Sequence, residues 1–253
     1  MKTPIYVPSR GRCKTSKTIA AATDQAVKLH IVVEPQEYEN YRLEWFDHEV
    51  ICLPADNQGI TYVRNFIKEH AEKNSLQQYW QLDDDVQQLY ARSGTKMNKA
   101  GFEVLTEAEK QFLAGGYALG GLEYQQFAWS ATKPVVENSF CDVCVWVDNT
   151  RTYGLRYRAY VEGKEDRDFA MQVIKKGHAT ARTTLYGFAA PANGSNAGGL
   201  KEIFYDAGKE TRCVDRMVEL WGERVCTPII KPNGRRDVKI NWSEINSTQI
   251  SLF

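Results

Sequence analysis

The chain has 253 residues, 43% hydrophobic, 25% charged and 11% aromatic, with 32 Lys and Arg balancing 32 Asp and Glu. That length buries one sizeable core, and the composition excludes disordered, collagen-like and fibrous classes. Balanced charge announces neither a nucleic-acid nor a membrane partner, and no apolar run approaches bilayer-spanning length.

One domain over residues 1–253 is the expectation. Met1-Lys2-Thr3-Pro4 enters a strand with no signal-peptide core ahead of it, so a cytoplasmic protein with six free cysteine thiols is expected. Basic clusters at Lys2 to Lys17 and at Lys231, Arg235, Arg236 and Lys239 suit an anionic ligand or, more plainly, a solvated face.

In chain order, the first half alternates short apolar strands with helical patterns, as βαβ units of a mainly parallel sheet do. Ile5-Tyr6-Val7 reads as the first strand, Ser16 as the cap of a helix reaching Val27, and Leu29 to Val33 as the second strand. Pro35 starts a helix through Trp45, and Val50 to Leu53 is the third strand. Gly59 opens a helix whose Ile60, Val63, Phe66, Ile67 and Ala71 recur at helical spacing. Tyr79 to Leu82 then delivers Asp83-Asp84-Asp85 to a strand's carboxyl end, where open α/β sheets bind ligands.

Beyond Val86, residues 92–101 read as a polar loop and Thr106 to Ala114 as a short helix. Phe127 to Val147 has strand character, with Val143, Val145 and Val147 on one face, and is expected to build a second, smaller sheet. Asp166 to Lys176 is helical and ends at Gly177; Thr180 to Phe188 is a strand; a Gly/Asn-rich loop spans Asn193 to Gly199. Val214, Met217, Val218 and Trp221 mark a last amphipathic helix. Cys141 and Cys144 fall in a strand-like run without a second such pair, so core packing outweighs a zinc site.

Adjacent carboxylates repel, and a divalent cation resolves the conflict at Asp83-Asp84-Asp85. Hard ions such as Mg²⁺ and Mn²⁺ take carboxylate and phosphate oxygens, and strand geometry sends Asp83 and Asp85 one way and Asp84 the other. The plainer reading is an acidic turn after a buried strand.

Trp80-Gln81-Leu82-Asp83-Asp84-Asp85-Val86 resembles the DxD motif of GT-A glycosyltransferases. Asn57 to Asn65, with Gly59 and Arg64, resembles the segment these enzymes place before the motif. Pro8-Ser9-Arg10-Gly11-Arg12 resembles their first-strand loop. The resemblance implies a metal held by Asp83 and Asp85, and a nucleotide-sugar donor met by Pro8, Ser9, Arg10, Arg12, Arg64, Asp83 and Asp84. A surface arginine and a basic Gly turn are the plainer readings of Arg64 and Arg10.

Glu165-Asp166-Arg167-Asp168-Phe169 sits at a helix start, where acids are stabilised by the helix dipole alone. It also resembles the acidic motif after the acceptor region of GT-A enzymes. An acceptor hydroxyl must lose its proton as it attacks, so Asp166 is expected as general base, with Glu165 second. The late histidine that often completes the metal shell in these enzymes has no counterpart after His178, so Asn193, Asn196 or water would fill it.

The order and spacing of these motifs, from Pro4 to Trp221, most resemble the TET-associated glycosyltransferases, which accompany bacteriophage DNA-modification systems. The resemblance implies a GT-A, Rossmann-like sheet flanked by helices with a smaller antiparallel acceptor-side sheet. It divides the domain into a nucleotide-sugar half (1–90), an acceptor half (91–226) and a tail (227–253). It further implies transfer from a UDP-sugar to the hydroxymethyl group of 5-hydroxymethylcytosine or a related pyrimidine in DNA, inverting if Asp166 is the base, in a host cytoplasm if the source is a phage. Arg151, Tyr153, Arg156 and Arg158 suit an acceptor groove, and equally a sugar platform or an amphipathic strand. A glycan or small-molecule acceptor, a sugar-nucleotide pyrophosphorylase and a non-catalytic binding module remain open, as does the oligomeric state.

Overall fold

The computed structural model describes residues 2–191, 209–232 and 234–247. Its strands are β1 (Ile5–Pro8), β2 (His30–Val33), β3 (Glu49–Cys52), β4 (Gln78–Leu82), β5 (Gln88–Ser93), β6 (Lys96–Ala100), β7 (Leu119–Tyr124), β8 (Val135–Glu137), β9 (Cys144–Asp148), β10 (Thr180–Ala189), β11 (Cys226–Ile230) and β12 (Arg236–Ile240). The helices are α1 (Lys17–Asp24), α2 (Tyr38–Glu44), α3 (Ile60–Lys73), α4 (Glu103–Gly115), α5 (Gln125–Ala128), α6 (Glu165–Lys175) and α7 (Lys209–Trp221).

The fold is mixed α/β: a large central sheet flanked by helices, with a small separate antiparallel sheet. The central order is β3-β2-β1-β4-β9-β7-β10-β5-β6, with β8 also paired to β10, and β11 and β12 form the small sheet. β1 to β4, β7 and β10 all run one way, and β9 is inserted between β4 and β7 against them. The carboxyl ends of β4, β7 and β10 therefore share one edge.

Period-two alternation sorts each central strand onto two faces. Ile5, Val7, Ile31, Val33, Trp80 and Leu82 join one core with Ile19 of α1 and Phe112 of α4. Tyr6, Val32, Tyr79, Val145 and Val147 join the other with Ile67 of α3 and Phe169 of α6. A third core joins Trp221 of α7 to Met171 of α6 and Val238 of β12. All six cysteines are free, and Cys141 and Cys144 pack in the cores as expected.

Several elements differ from the expectations. Residues 92–101 are largely the β5–β6 hairpin, whose outer strand is too polar and exposed to show an apolar period. Within the stretch 127–147, α5, β8 and β9 form, and β9 enters the central sheet; buried along its whole length, it shows no one-sided alternation. The small sheet arises instead from β11 and β12, in the segment expected as a tail. β7 has no counterpart among the expected elements because Gly120 and Gly121 interrupt its pattern. Gly120 is required there, since a Cβ would lie 2.4 Å from the Phe112 ring. No helix among the described residues is long and apolar enough to cross a membrane.

Candidate functional site

Asp83, Asp84 and Asp85 leave β4 at the shared carboxyl edge, and their backbone is anchored from α1. Ser16 caps α1, its hydroxyl accepting from Ile19 N and donating to Asp84 O at 2.7 Å. Thr18 donates to Asp83 O at 2.6 Å and accepts from Val86 N at 2.9 Å. The acidic turn is thus held on both sides before any ligand arrives.

The three carboxylates have different surroundings. Asp84 is buried; Ser9 donates to it at 2.5 Å and Arg12 at 2.5 Å, and burial raises its pKa against those two donors. Arg12 also reaches Asp85 at 3.0 Å, and Asp85 keeps more solvent contact than Asp84. Asp83 is half-buried, and no hydrogen bond or ion pair from a described residue engages its carboxylate. Desolvation pushes its pKa up to about 7, with Asp85, Asp84 and Asp142 adding repulsion and Arg64 opposing. A carboxylate in this condition calls for a proton or a cation.

The loop after β1 forms the flank beyond the acids. Pro8 and Ser9 are buried, and the Ser9 hydroxyl also hydrogen-bonds the Tyr41 hydroxyl at 2.7 Å. Arg10 donates to Asn57 and pairs with Glu34 at 3.4 Å, while Gly11 N donates to Glu37 at 2.8 Å. The carboxyl ends of β1, β2 and β3 are thereby tied into one rim.

Opposite the acids, the chain returning after β9 runs back along α3 toward its N-terminus. Tyr157 N donates to Asn65 at 2.8 Å, and further on Glu162 covers Gly59, where a Cβ would lie 2.0 Å from its Oε1. Gly59 has φ 83° and ψ 171°, a backbone region open in practice to glycine alone. This return places Glu165 beside Arg64, both buried, with Nε 3.4 Å from Oε1. Burial works against the charge of Arg64, but Glu165, Tyr157, Asp83 and Asp166 outweigh it and keep the guanidinium protonated. Glu165 also accepts from Gly163 N at 2.6 Å, so its carboxylate is committed to Arg64 and the helix start.

Asp166, in the first turn of α6, is half-buried, and its carboxylate has no hydrogen-bond or ion-pair partner among the described residues. Asp83 and Asp166 thus both act electrostatically on one arginine, Arg64. Asp168, in contrast, is fully buried and held by Gln172 at 2.8 Å, Trp221 at 2.8 Å and Arg158 at 3.4 Å.

Two further residues belong to this cluster without having been singled out. Asp142, just before β9, is raised by burial and by the nearby Asp166, and in turn repels Asp83. Tyr124, at the end of β7, donates to Asp142 at 3.1 Å. A lone acid before an apolar strand and a tyrosine after two glycines carry no local signature; only the insertion of β9 between β4 and β7 brings them together.

The arginine and tyrosine residues expected to line an acceptor groove lie elsewhere. β4 and β9 pair with Leu82 opposite Cys144 and Gln78 opposite Asp148, so the turn after β9 emerges at the other end of the sheet. Arg151 there donates to Gly116 O and pairs with Asp148, with exposed Tyr153 beside it. A five-residue strand puts them roughly 15 Å from the acids. Arg156 is bound to Glu72 at 2.7 Å near the C-terminus of α3, and Arg158 is on Asp168. His178 precedes β10 at that same far end, and Asn193 and Asn196 lie outside the described residues.

Among the described residues no three Asp, Glu, His or Cys side chains are already gathered to hold a metal. The donor set nevertheless fits a hard cation. Asp83 lacks a partner for its charge and Asp85 lies beside it, and Mg²⁺-like ions are commonly held by one or two carboxylates with phosphate and water completing the shell.

Comparison with known proteins agrees with the family expected from the sequence. Residues 3–199 match the model of the TET-Associated Glycosyltransferase family. No curated protein matches the chain significantly. Two solved structures resemble it at a TM-score of 0.44: A197 from STIV (14% identity, 76% of this chain, 87% of that one) and a protein of Desulfovibrio desulfuricans G20 assigned as a nucleotide-diphospho-sugar transferase (8% identity, 71% and 78%). The chain belongs to the TET-associated glycosyltransferase family and is a glycosyltransferase.

Proposed function

We propose that this glycosyltransferase moves a sugar from a UDP-sugar to the hydroxymethyl group of 5-hydroxymethylcytosine, or a related modified pyrimidine, in DNA, with Mn²⁺ or Mg²⁺ and inversion at the anomeric carbon. The observation that carries the donor and catalytic assignments is that two carboxylates without hydrogen-bond or ion-pair partners among the described residues, Asp83 and Asp166, both act on the buried Arg64. The DNA acceptor rests on the family alone.

In this reading Asp83 and Asp85 hold the cation, which when bound neutralises charge on the departing diphosphate. Arg12 fixes Asp84 and Asp85, and the rim of Pro8, Ser9 and Arg10 receives the nucleoside. Asp166 takes the acceptor hydroxyl proton as that oxygen bonds to the anomeric carbon; the carbon–oxygen bond to phosphate breaks and UDP leaves with the electron pair. Glu165 keeps Arg64 in place, and Arg64 supplies positive charge beside the reacting groups.

The test incubates the protein with Mn²⁺, a panel of UDP-sugars, and DNA with or without 5-hydroxymethylcytosine, followed by mass analysis of digested nucleosides. A sugar mass confined to the modified base supports the reading. Transfer to a glycan with none to DNA would sink the acceptor assignment, and release of pyrophosphate from a nucleoside triphosphate would favour a nucleotidyltransferase.

A further inference from the structure

The charges balance overall, yet no acidic residue occurs from Val86 to Phe102 or from Tyr124 to Val136. These two segments are neighbours in space. The first contains the β5–β6 hairpin and the second contains α5 and the turn after it. Arg92 of β5 donates to Ala131 O at 2.8 Å, and Met97 of β6 and Gln125 of α5 both close over Gly187 of β10. The joined surface presents Lys99 and Lys133, while Lys96 starts β6 beside the hairpin turn and points to the opposite face; all three are exposed and none is in an ion pair with a described residue.

Two large aromatic side chains stand out of the same surface. Phe127 is 56% exposed and Trp129 53% exposed. Phe127 packs edge-on against Tyr124 at 6.3 Å between ring centroids, and Tyr124 donates to Asp142 of the acid cluster. The aromatic pair therefore begins one ring away from Asp142 of the acid cluster. Lysines on the edge strand β6 also discourage pairing with another sheet, but that role explains neither the aromatics nor the absence of acids on the adjoining helix.

We infer that the hairpin β5–β6 and helix α5 form the acceptor-strand surface, Lys99 and Lys133 lying along the phosphates and Phe127 and Trp129 stacking on unpaired bases beside the modified one. Cations without acids match a polyanion, and exposed rings match the faces of bases taken out of a duplex stack. This inference rests on the DNA reading proposed above and moves its acceptor surface away from Arg151 and Tyr153.

The test is fluorescence anisotropy of a labelled single-stranded oligodeoxynucleotide containing 5-hydroxymethylcytosine, over a range of salt, with UDP binding in Mn²⁺ measured on the same samples. W129A and F127A are expected to weaken oligonucleotide binding about tenfold each. Replacing Lys99 and Lys133 by Gln is expected to flatten the log-affinity against log-salt line by about 1.4. R151Q should match the wild type, and UDP binding should be unchanged in all four, which shows that each variant is folded. If the wild type binds the oligonucleotide and the α5 and hairpin variants bind it equally well, this surface is wrong while the DNA reading stands. If the wild type binds no oligonucleotide but binds an oligosaccharide, the DNA reading falls and this inference with it.

Discussion

Replacing Asp83 by Asn removes the one carboxylate of the acidic run that the fold leaves without a hydrogen-bond or ion-pair partner among the described residues. The protein holds that carboxyl at about 7 against an ordinary value of 3.8. At full effect this amounts to about 4 kcal/mol, each tenfold change in proton affinity being worth ~1.4 kcal/mol. Solvent access to the half-buried group and its shared charge with Asp84 and Asp85 lower the expected value to about 2 kcal/mol. The sign follows from proton counts. Between about pH 4 and pH 7 the folded state holds a proton that the unfolded state releases, so stability falls as pH rises through that window and levels off above it. Asn cannot ionise, so D83N should gain on the wild type by about 1–2 kcal/mol between about pH 5 and pH 8, read by urea denaturation without metal. At the upper pH, Mn²⁺ at about 100 times its dissociation constant should stabilise the wild type by ~2.7 kcal/mol and D83N by much less. Parallel pH profiles, with equal Mn²⁺ stabilisation of both proteins, would refute the argument that Asp83 is held in want of a cation.

Other substitutions separate roles within the site. D166N should keep UDP binding in Mn²⁺ while kcat for transfer falls about 10²- to 10⁴-fold, measured by steady-state kinetics on whichever acceptor is turned over. D168A removes a partner of the half-buried Arg158 and of Gln172 and leaves the buried Trp221 indole N–H without its acceptor, so denaturant unfolding should show a loss of about 2–4 kcal/mol. G59A forces a side chain into a glycine-only backbone region and against Glu162, at a cost of about 1–3 kcal/mol, visible as a lowered Tm.

The parallel half of the sheet was legible because its strands are short, apolar and punctuated, and because Ser16 and Gly59 mark helix starts by their chemistry. The other half was not. β9 is buried on both faces and runs against its neighbours, so nothing local to Cys144–Asp148 tells which end of the sheet its following turn reaches. That is why Arg151 and Tyr153, attractive in sequence as a basic and aromatic run, lie at the end away from the acids. The same topology brings Asp142 within electrostatic reach of both Asp83 and Asp166, residues far apart in the chain. Asp168, two positions after Asp166 in the same acidic motif, is instead a core residue bonded by Trp221, a distinction that depends on α7 packing across α6 and not on any spacing.

The most direct test of the central claim is the mass of nucleosides recovered from DNA after incubation with Mn²⁺ and each UDP-sugar in turn. The account predicts that one donor adds its sugar to 5-hydroxymethylcytosine, adds nothing to cytosine, and does so neither with D166N nor after chelation of the metal. Unmodified nucleosides with every donor, from a preparation that binds UDP with Mn²⁺, would contradict it.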